Sequence, residues 1–142
     1  VFTGEYRHAI DGKGRVAVPA RFRTQLAGEI VVAQWLDSCL AIFPGSAWET
    51  LATKISGLPM TDPSARLLQR RLFAGAMVTE LDGQGRVLVP NNLRAWAGLE
   101  TEAMVLGLQD HAEIWAPDTW AGYRRELDDA DAFARAIAGL GI

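Results

Sequence analysis

Two short runs of this chain bring an acid, a guanidinium and paired glycines into fixed spacing. Asp11-Gly12-Lys13-Gly14-Arg15-Val16-Ala17-Val18-Pro19 recurs 71 residues later as Asp82-Gly83-Gln84-Gly85-Arg86-Val87-Leu88-Val89-Pro90, with seven of nine positions identical. Gly12, Gly14, Gly83 and Gly85 permit positive φ and a tight turn with exposed backbone. Asp and Gly suit turns in any case, so a hairpin held by its own Asp–Arg pair would explain the pattern without an external role. The chemical reading has Asp11 and Asp82 orienting Arg15 and Arg86 at the tip of a two-stranded ribbon. A ribbon of that width fits the DNA major groove, where Arg forks onto O6 and N7 of guanine. A planar fork held by a carboxylate loses little entropy on binding, which Lys could not match. Around the first tip Arg7, Lys13, Arg21 and Arg23 are suited to phosphates. The second tip keeps Arg86 and Arg94 but has Gln84 in place of Lys13, so one tip is more electrostatic and the other offers a neutral amide.

Other chemistries find little support. His8 follows Arg7 in a strand pattern and His111 lies in the turn Gln109-Asp110-His111; the two are unrelated in the repeat and neither has a nucleophile nearby in sequence. Both read as surface strand or turn histidines rather than tuned acid–base groups. Cys39, between Ser38 and Leu40, reads as a small buried hydrophobe rather than a reactive thiol. Asp-Gly-Lys-Gly-Arg lacks the third glycine of a dinucleotide fingerprint and leads into a strand. Zinc-type Cys/His spacing is missing. No catalytic residue, metal or cofactor is expected.

The elements that would position the arginines repeat as well. In each unit a strand (Gly4 to Ile10, Ala76 to Leu81) meets an Asp-Gly turn, the strongest short hairpin signal. Alternating apolar residues follow on a second strand, and Pro19 or Pro90 ends it and opens a short helix, Ala20 to Ala27 or Asn91 to Ala97. Two further strands are expected at Glu29 to Trp35 and Cys39 to Phe43, and at Ala103 to Leu108 and Ala112 to Trp115. Ser46-Ala47-Trp48-Glu49 has the form of a capping box for a helix to Ser56. Pro117-Asp118 opens its counterpart, which runs toward Ala138. Asp62-Pro63 supplies an N-cap and first-turn proline for a helix over Ser64 to Ala74. Ile42-Phe43 through Trp48 echoes Ile114-Trp115 through Trp120 at an offset of 72, and these duplicated aromatics read as core anchors rather than base-stacking platforms. The stripe Ala65, Leu68, Leu72, with Leu67 and Phe73, is an ordinary packed helix face or else, through Leu68 and Leu72, a subunit contact. The resulting organisation is a first repeat over 1–56, a connecting helix within 57–75, a second repeat over 76–125 and a helical extension over 126–142. No Pro/Gly/Ser linker separates the repeats, which argues for two intertwined halves of one fold.

The chain's 142 residues suffice for one domain with a proper core, and 49% hydrophobic with 22% charged residues excludes disorder as its main character. No apolar run is long enough to span a membrane, and Val1 to Tyr6 lacks the form of a secretory signal. A single cysteine allows no internal disulfide and fits a reducing cytoplasm. Net charge is −3, which at first argues against nucleic acid, but residues 1–75 carry +3 and residues 76–142 carry −6. That asymmetry leaves room for a basic face on an acidic protein.

These residues together resemble the MraZ family of bacterial transcriptional regulators. The resemblance rests on Phe2-Thr3-Gly4-Glu5-Tyr6, the paired Asp-Gly-x-Gly-Arg runs with the strand and proline after each, Leu58-Pro59 with Asp62-Pro63-Ser64-Ala65-Arg66, and Glu113-Ile114-Trp115-Ala116-Pro117. It covers residues 1 to about 125. It implies a β-rich α+β fold, the duplicated AbrB-like swapped-hairpin barrel with peripheral helices, whose two repeats interlace around a pseudo-two-fold axis. It also implies a ring-shaped homo-oligomer that binds double-stranded DNA on the nucleoid, at tandem boxes upstream of the division and cell-wall gene cluster. The DNA-contacting arginines of the family fall on Arg15 and Arg86, and the adjoining tip residues on Lys13 and Gln84. A ring presenting several weak tips together would gain affinity through effective concentration, which reconciles DNA binding with an acidic chain. The main alternative from another class is a protein-interaction or antitoxin-like module on the same barrel, and a small enzyme ranks third.

Overall fold

A computed structural model describes all of residues 1–142. Eight strands and five α-helices alternate along the chain. In the first repeat they are β1 (Glu5–Ala9), β2 (Arg15–Ala17), β3 (Ile30–Gln34), β4 (Leu40–Pro44) and α1 (Gly45–Ser56). Helix α2 (Pro63–Ala74) leads to β5 (Met77–Thr79), β6 (Arg86–Leu88), α3 (Asn91–Ala97), β7 (Glu102–Leu108), β8 (His111–Trp115), α4 (Pro117–Leu127) and α5 (Ala130–Gly139).

The pairing of these strands joins the repeats. Six form one antiparallel sheet in the order β1-β7-β8-β4-β3-β5, so the first strand of each repeat lies against the third strand of the other. The order reads the same from either end once the repeats are exchanged, which places a pseudo-two-fold axis between β4 and β8. There Ala41 faces Glu113, and Leu40 and Ile42 face Ile114 and Ala112. The two remaining strands, β2 and β6, pair with each other about Val16 and Val87 on the same axis. One core cluster takes Val16, Ile30, Val32 and Ile42 from the first repeat and Val87, Val105, Ala112 and Ile114 from the second. Neither half could bury its apolar face alone.

The closed barrel expected from the resemblance is not seen. The six-stranded sheet is open, with β1 and β5 as its edges, and β2–β6 forms a separate ribbon. A bridge between Ile10 and Val16 ties the ribbon to the end of β1. The physical reason is length: each ribbon strand is three residues long before Pro19 or Pro90, which has no N–H for a ladder.

Local expectations fare unevenly. Asp62 caps α2 as expected, accepting a 2.8 Å hydrogen bond from the Ser64 N–H, with Pro63 in the first turn. The capping box at Ser46 is absent. Helix α1 begins two residues earlier, at Gly45 after Pro44, so Ser46 lies inside it with no capping bond. The first proline-led helix is only a 3₁₀ turn, Ala20–Phe22, whereas α3 spans Asn91–Ala97. The single long helix expected after Pro117 is two. Helix α4 ends at Leu127, and Asp129 caps α5 by accepting from the N–H groups of Asp131 and Ala132. The duplicated aromatics are anchors: Trp120 is buried beside Trp115 and Tyr123, and Trp48 packs between Phe43 and Phe73. On α2, Ala65 and Leu72 are buried, while Leu67 and Leu68 are exposed.

Candidate nucleic-acid interface

Each Asp-Gly-x-Gly-Arg run folds around its aspartate. Asp11 Oδ1 accepts from the backbone N–H groups of Lys13 (3.0 Å) and Arg15 (2.9 Å), and Oδ2 accepts from Arg15 Nε at 2.6 Å. The Asp11 N–H donates to the Arg15 carbonyl and the Gly14 N–H to the Asp11 carbonyl, closing the loop. The second copy repeats this geometry: Asp82 Oδ1 takes the N–H groups of Gln84 and Arg86, and Oδ2 takes Arg86 Nε at 2.8 Å. A carboxylate accepting several such bonds strongly favours its charged form. The backbone bond from Arg15, with help from its side chain and from Lys13, pulls the Asp11 carboxyl down to about 2. Asp82 is lowered in the same way, first by the Arg86 N–H. Both therefore stay ionised and hold their arginines at any physiological pH.

The two arginines share one surface. Strand alternation turns Val16 and Val87, fully buried, into the core and leaves Arg15, Ala17, Arg86 and Leu88 on the outer face of the ribbon. Arg15 lies opposite Leu88 and Arg86 opposite Ala17, so the two arginines are diagonal neighbours across the axis. Diagonal positions are about 7–8 Å apart, close enough for long side chains to work together. Arg86 Nη1 lies 3.7 Å from Asp11 Oδ2, which links the two halves directly. On sequence alone each arginine belongs to its own hairpin. Instead both stand on a single ribbon built from both repeats, with the exposed pairs Gly12-Lys13 and Gly83-Gln84 flanking its ends. In Arg15 the carboxylate takes Nε, and neither terminal nitrogen, Nη1 or Nη2, is hydrogen-bonded within the chain.

The four glycines divide into two kinds. Gly14 (φ +85°) and Gly85 (φ +72°) are buried and left-handed. Gly12 and Gly83 are exposed, have no such φ, and a Cβ on either would meet nothing within 4 Å. Conformation thus requires only the second glycine of each pair. A Cβ at Gly14 would run into the Arg94 guanidinium, and one at Gly85 into Arg23, each an arginine of the opposite repeat. Arg23 also donates from Nε to the Val18 carbonyl at 3.3 Å, and Arg94 from Nη2 to Asn91 Oδ1 at 3.0 Å. Arg23, read from sequence as a phosphate contact, and its counterpart Arg94 therefore buttress the neighbouring loop. Their shared 71-residue offset was the available signal. The remaining cations are dispersed: Arg7 pairs with Glu102 at 2.6 Å across β1 and β7, and Arg21 donates to the Tyr6 hydroxyl. Lys13 is exposed at its tip.

The histidines are more enclosed than a surface reading implies. His8 Nε2 is buried without a partner, and burial, aided by the charge of Arg23, lowers its pKa. His111 stacks on Phe43 at 5.2 Å and meets Trp35 edge-on. Burial opposes its protonation, but Glu113 and Asp110 outweigh that and raise its pKa. Cys39 is fully buried, and burial followed by the nearby Glu113 pushes its thiol well above the usual range, as befits an inert core group. No cluster of three or more His, Cys, Asp or Glu is arranged to hold a metal ion, and no helix is long and apolar enough to cross a membrane.

A duplicated β-rich unit with an arginine pair on an inter-repeat ribbon defines the class, and comparison with known proteins supplies the family. The model of MraZ protein, described as antitoxin-like, matches residues 1–71 and again 72–139. The chain is 50% identical over 141 residues to the transcriptional regulator MraZ of Thermomicrobium roseum, covering 99% of each. It is 46% identical to that of Desulfitobacterium hafniense, with full coverage of both, and 48% identical to that of a Roseiflexus species over 99% of each. The chain belongs to the MraZ family.

Proposed function

We propose that this protein is a sequence-specific DNA-binding regulator of transcription, working in the cytoplasm at the nucleoid. The observation that carries the reading is the pair Arg15 and Arg86, side by side on the outward face of β2–β6, each with its Nε held by an ionised aspartate. A guanidinium fixed in this way reaches a base edge already oriented, so little rotamer freedom is lost on binding. Lys13 adds a phosphate contact at one end of the ribbon, and Gln84 offers the other end an amide for a base or sugar. The strand exchange between repeats supports a swapped-hairpin architecture for the family fold. Because the chain is acidic overall, tight binding calls for several ribbons on one DNA, which fits a closed homo-oligomer acting on tandem promoter boxes of the division and cell-wall genes.

The reading is tested by gel shift on DNA containing tandem boxes from upstream of the gene. Arg15→Ala and Arg86→Ala each weaken the specific complex by about 1–3 kcal/mol per lost base contact, with native circular dichroism. Parent-like binding by both variants would refute it.

A further inference from the structure

One side chain on the outer face of the ribbon belongs neither to the clamps nor to the core. Leu88 follows the buried Val87, so strand alternation turns it outward, and it is 50% exposed. It lies directly opposite Arg15 and two residues beyond Arg86 on its own strand, so both arginines flank it on one face. Residues directly opposite have Cβ atoms about 5 Å apart, and residues two apart on a strand are separated by about 7 Å, or about two base-pair steps of DNA.

The fold gives no reason for a large apolar group there. The matched position of the first repeat, opposite Arg86, is Ala17, so the same ribbon geometry is built with a side chain that is a single methyl. Leucine is also not among the β-branched and aromatic residues that strands favour. Water around Leu88 is released only when another apolar surface covers it. On the floor of the major groove, where arginine forks onto guanine, the apolar group on offer is the C5 methyl of thymine.

We infer that Leu88 packs on the C5 methyl of a thymine lying within about two base pairs of the guanine taken by Arg15. The inference rests on the DNA-binding reading above and adds to it a specificity-determining residue. It also makes the two halves of the ribbon unequal readers: the half around Arg15 senses a methyl group, and the half around Arg86, with Ala17, does not. A second copy of this chain is the competing occupant. It would have to bring apolar surface in among Arg15, Arg86 and the exposed Lys13, whereas DNA also matches their charge.

Uracil lacks only the methyl of thymine and pairs with adenine in the same way, so a uracil scan isolates the contact. Binding would be followed by fluorescence anisotropy at fixed salt, on one box in which each thymine in turn is replaced by uracil. The parent should show one thymine at which uracil weakens binding by about fourfold, the factor that corresponds to one buried methyl group. Leu88→Met should keep that sensitivity. Leu88→Ala and Leu88→Gln should bind the thymine box more weakly and no longer distinguish it from the uracil box. Circular dichroism should be native for all three, because the side chain is exposed and its counterpart is alanine. If Arg15→Ala weakens binding but no uracil does, or if Leu88→Gln still senses the same uracil, the thymine contact is wrong and the DNA reading stands. Parent-like binding by both Arg15→Ala and Arg86→Ala would overturn both. A lower mass by light scattering for Leu88→Ala and Leu88→Gln would show that another copy covers this face, and the inference would fail.

Discussion

Replacing Gly14 with Ala should damage the ribbon, whereas the same change two residues earlier should not. At Gly14 three costs add. An L-residue in the left-handed region loses about 1–2 kcal/mol relative to glycine. The new methyl would lie 2.9 Å from the Val89 carbonyl oxygen and against the Arg94 guanidinium, so the inter-repeat contact must open. Opening it strains the 2.9 Å bond from the Val89 N–H to the Gly14 carbonyl, worth about 1 kcal/mol. The sum is about 3 kcal/mol. For a chain of this size each kcal/mol shifts Tm by about 3 °C, giving a loss of about 10 °C. Gly12 has open space and no positive φ, so Gly12→Ala should fall within about 0.5 kcal/mol of the parent. Paired thermal melts measure both. Any loss of DNA affinity in Gly12→Ala then reports contact at the tip rather than unfolding. A Gly14→Ala protein melting within a degree or two of the parent would refute the proposed inter-repeat packing.

Three further outcomes follow from the side-chain environments. The Asp11 carboxyl should titrate near 2 by carbon NMR; the stability it confers is in place above the unfolded value of 3.8 and lost as pH falls toward 2, and a titration near 4 would mean the Arg15 clamp is open in solution. The two histidines should move in opposite directions from 6.5, His8 downward and His111 upward. His8 therefore costs stability as pH falls below 6.5, while the contribution of His111 is complete below 6.5 and lost as pH rises through its folded value, so proton NMR titrations with the same midpoint for both would contradict the burial of one and the carboxylate partners of the other. Leu72, packed with Ala33 and Ile55, should lose about 2–5 kcal/mol on change to Ala, whereas exposed Leu67→Ala should be nearly neutral in a melt at dilution.

The duplicated motif made much of this arrangement legible. Two nine-residue runs matching at seven positions and one offset revealed two copies of a unit, and the spacing of Asp11 to Arg15 anticipated the clamp, because a turn of that length brings the carboxylate back to the guanidinium. Alternation on β2 and β6 showed which side chains face the core. The sequence could not reveal that β2 would pair with β6 rather than with β1. Pairing between repeats is a long-range choice, settled by burying Val16 against Val87 on the axis, and no local pattern records it. The same limit hid the roles of Arg23 and Arg94, since an arginine over the glycine of the other repeat resembles a free surface cation in sequence. The break between α4 and α5 was readable in principle: Asp128-Asp129 followed by Ala130 is a cap pattern, but the surrounding helix formers masked it. The apparent capping box at Ser46 misled for the opposite reason, because Pro44 with its fixed φ starts the helix first.

The central claim is that Arg15 and Arg86 read guanine edges from the shared ribbon, and a protein–DNA double-mutant cycle tests it most directly. Binding of the parent, Arg15→Ala and Arg86→Ala would be measured by fluorescence anisotropy at fixed salt, on one operator box and on boxes in which single guanines are replaced by 7-deazaguanine. Removal of N7 deletes one acceptor of the arginine fork without altering base pairing. For each arginine the account predicts one guanine at which the two losses fail to add, with a coupling of about 1 kcal/mol or more. Additive losses at every guanine, for both arginines, would show that they touch only the phosphate backbone, and the base-reading role would be contradicted.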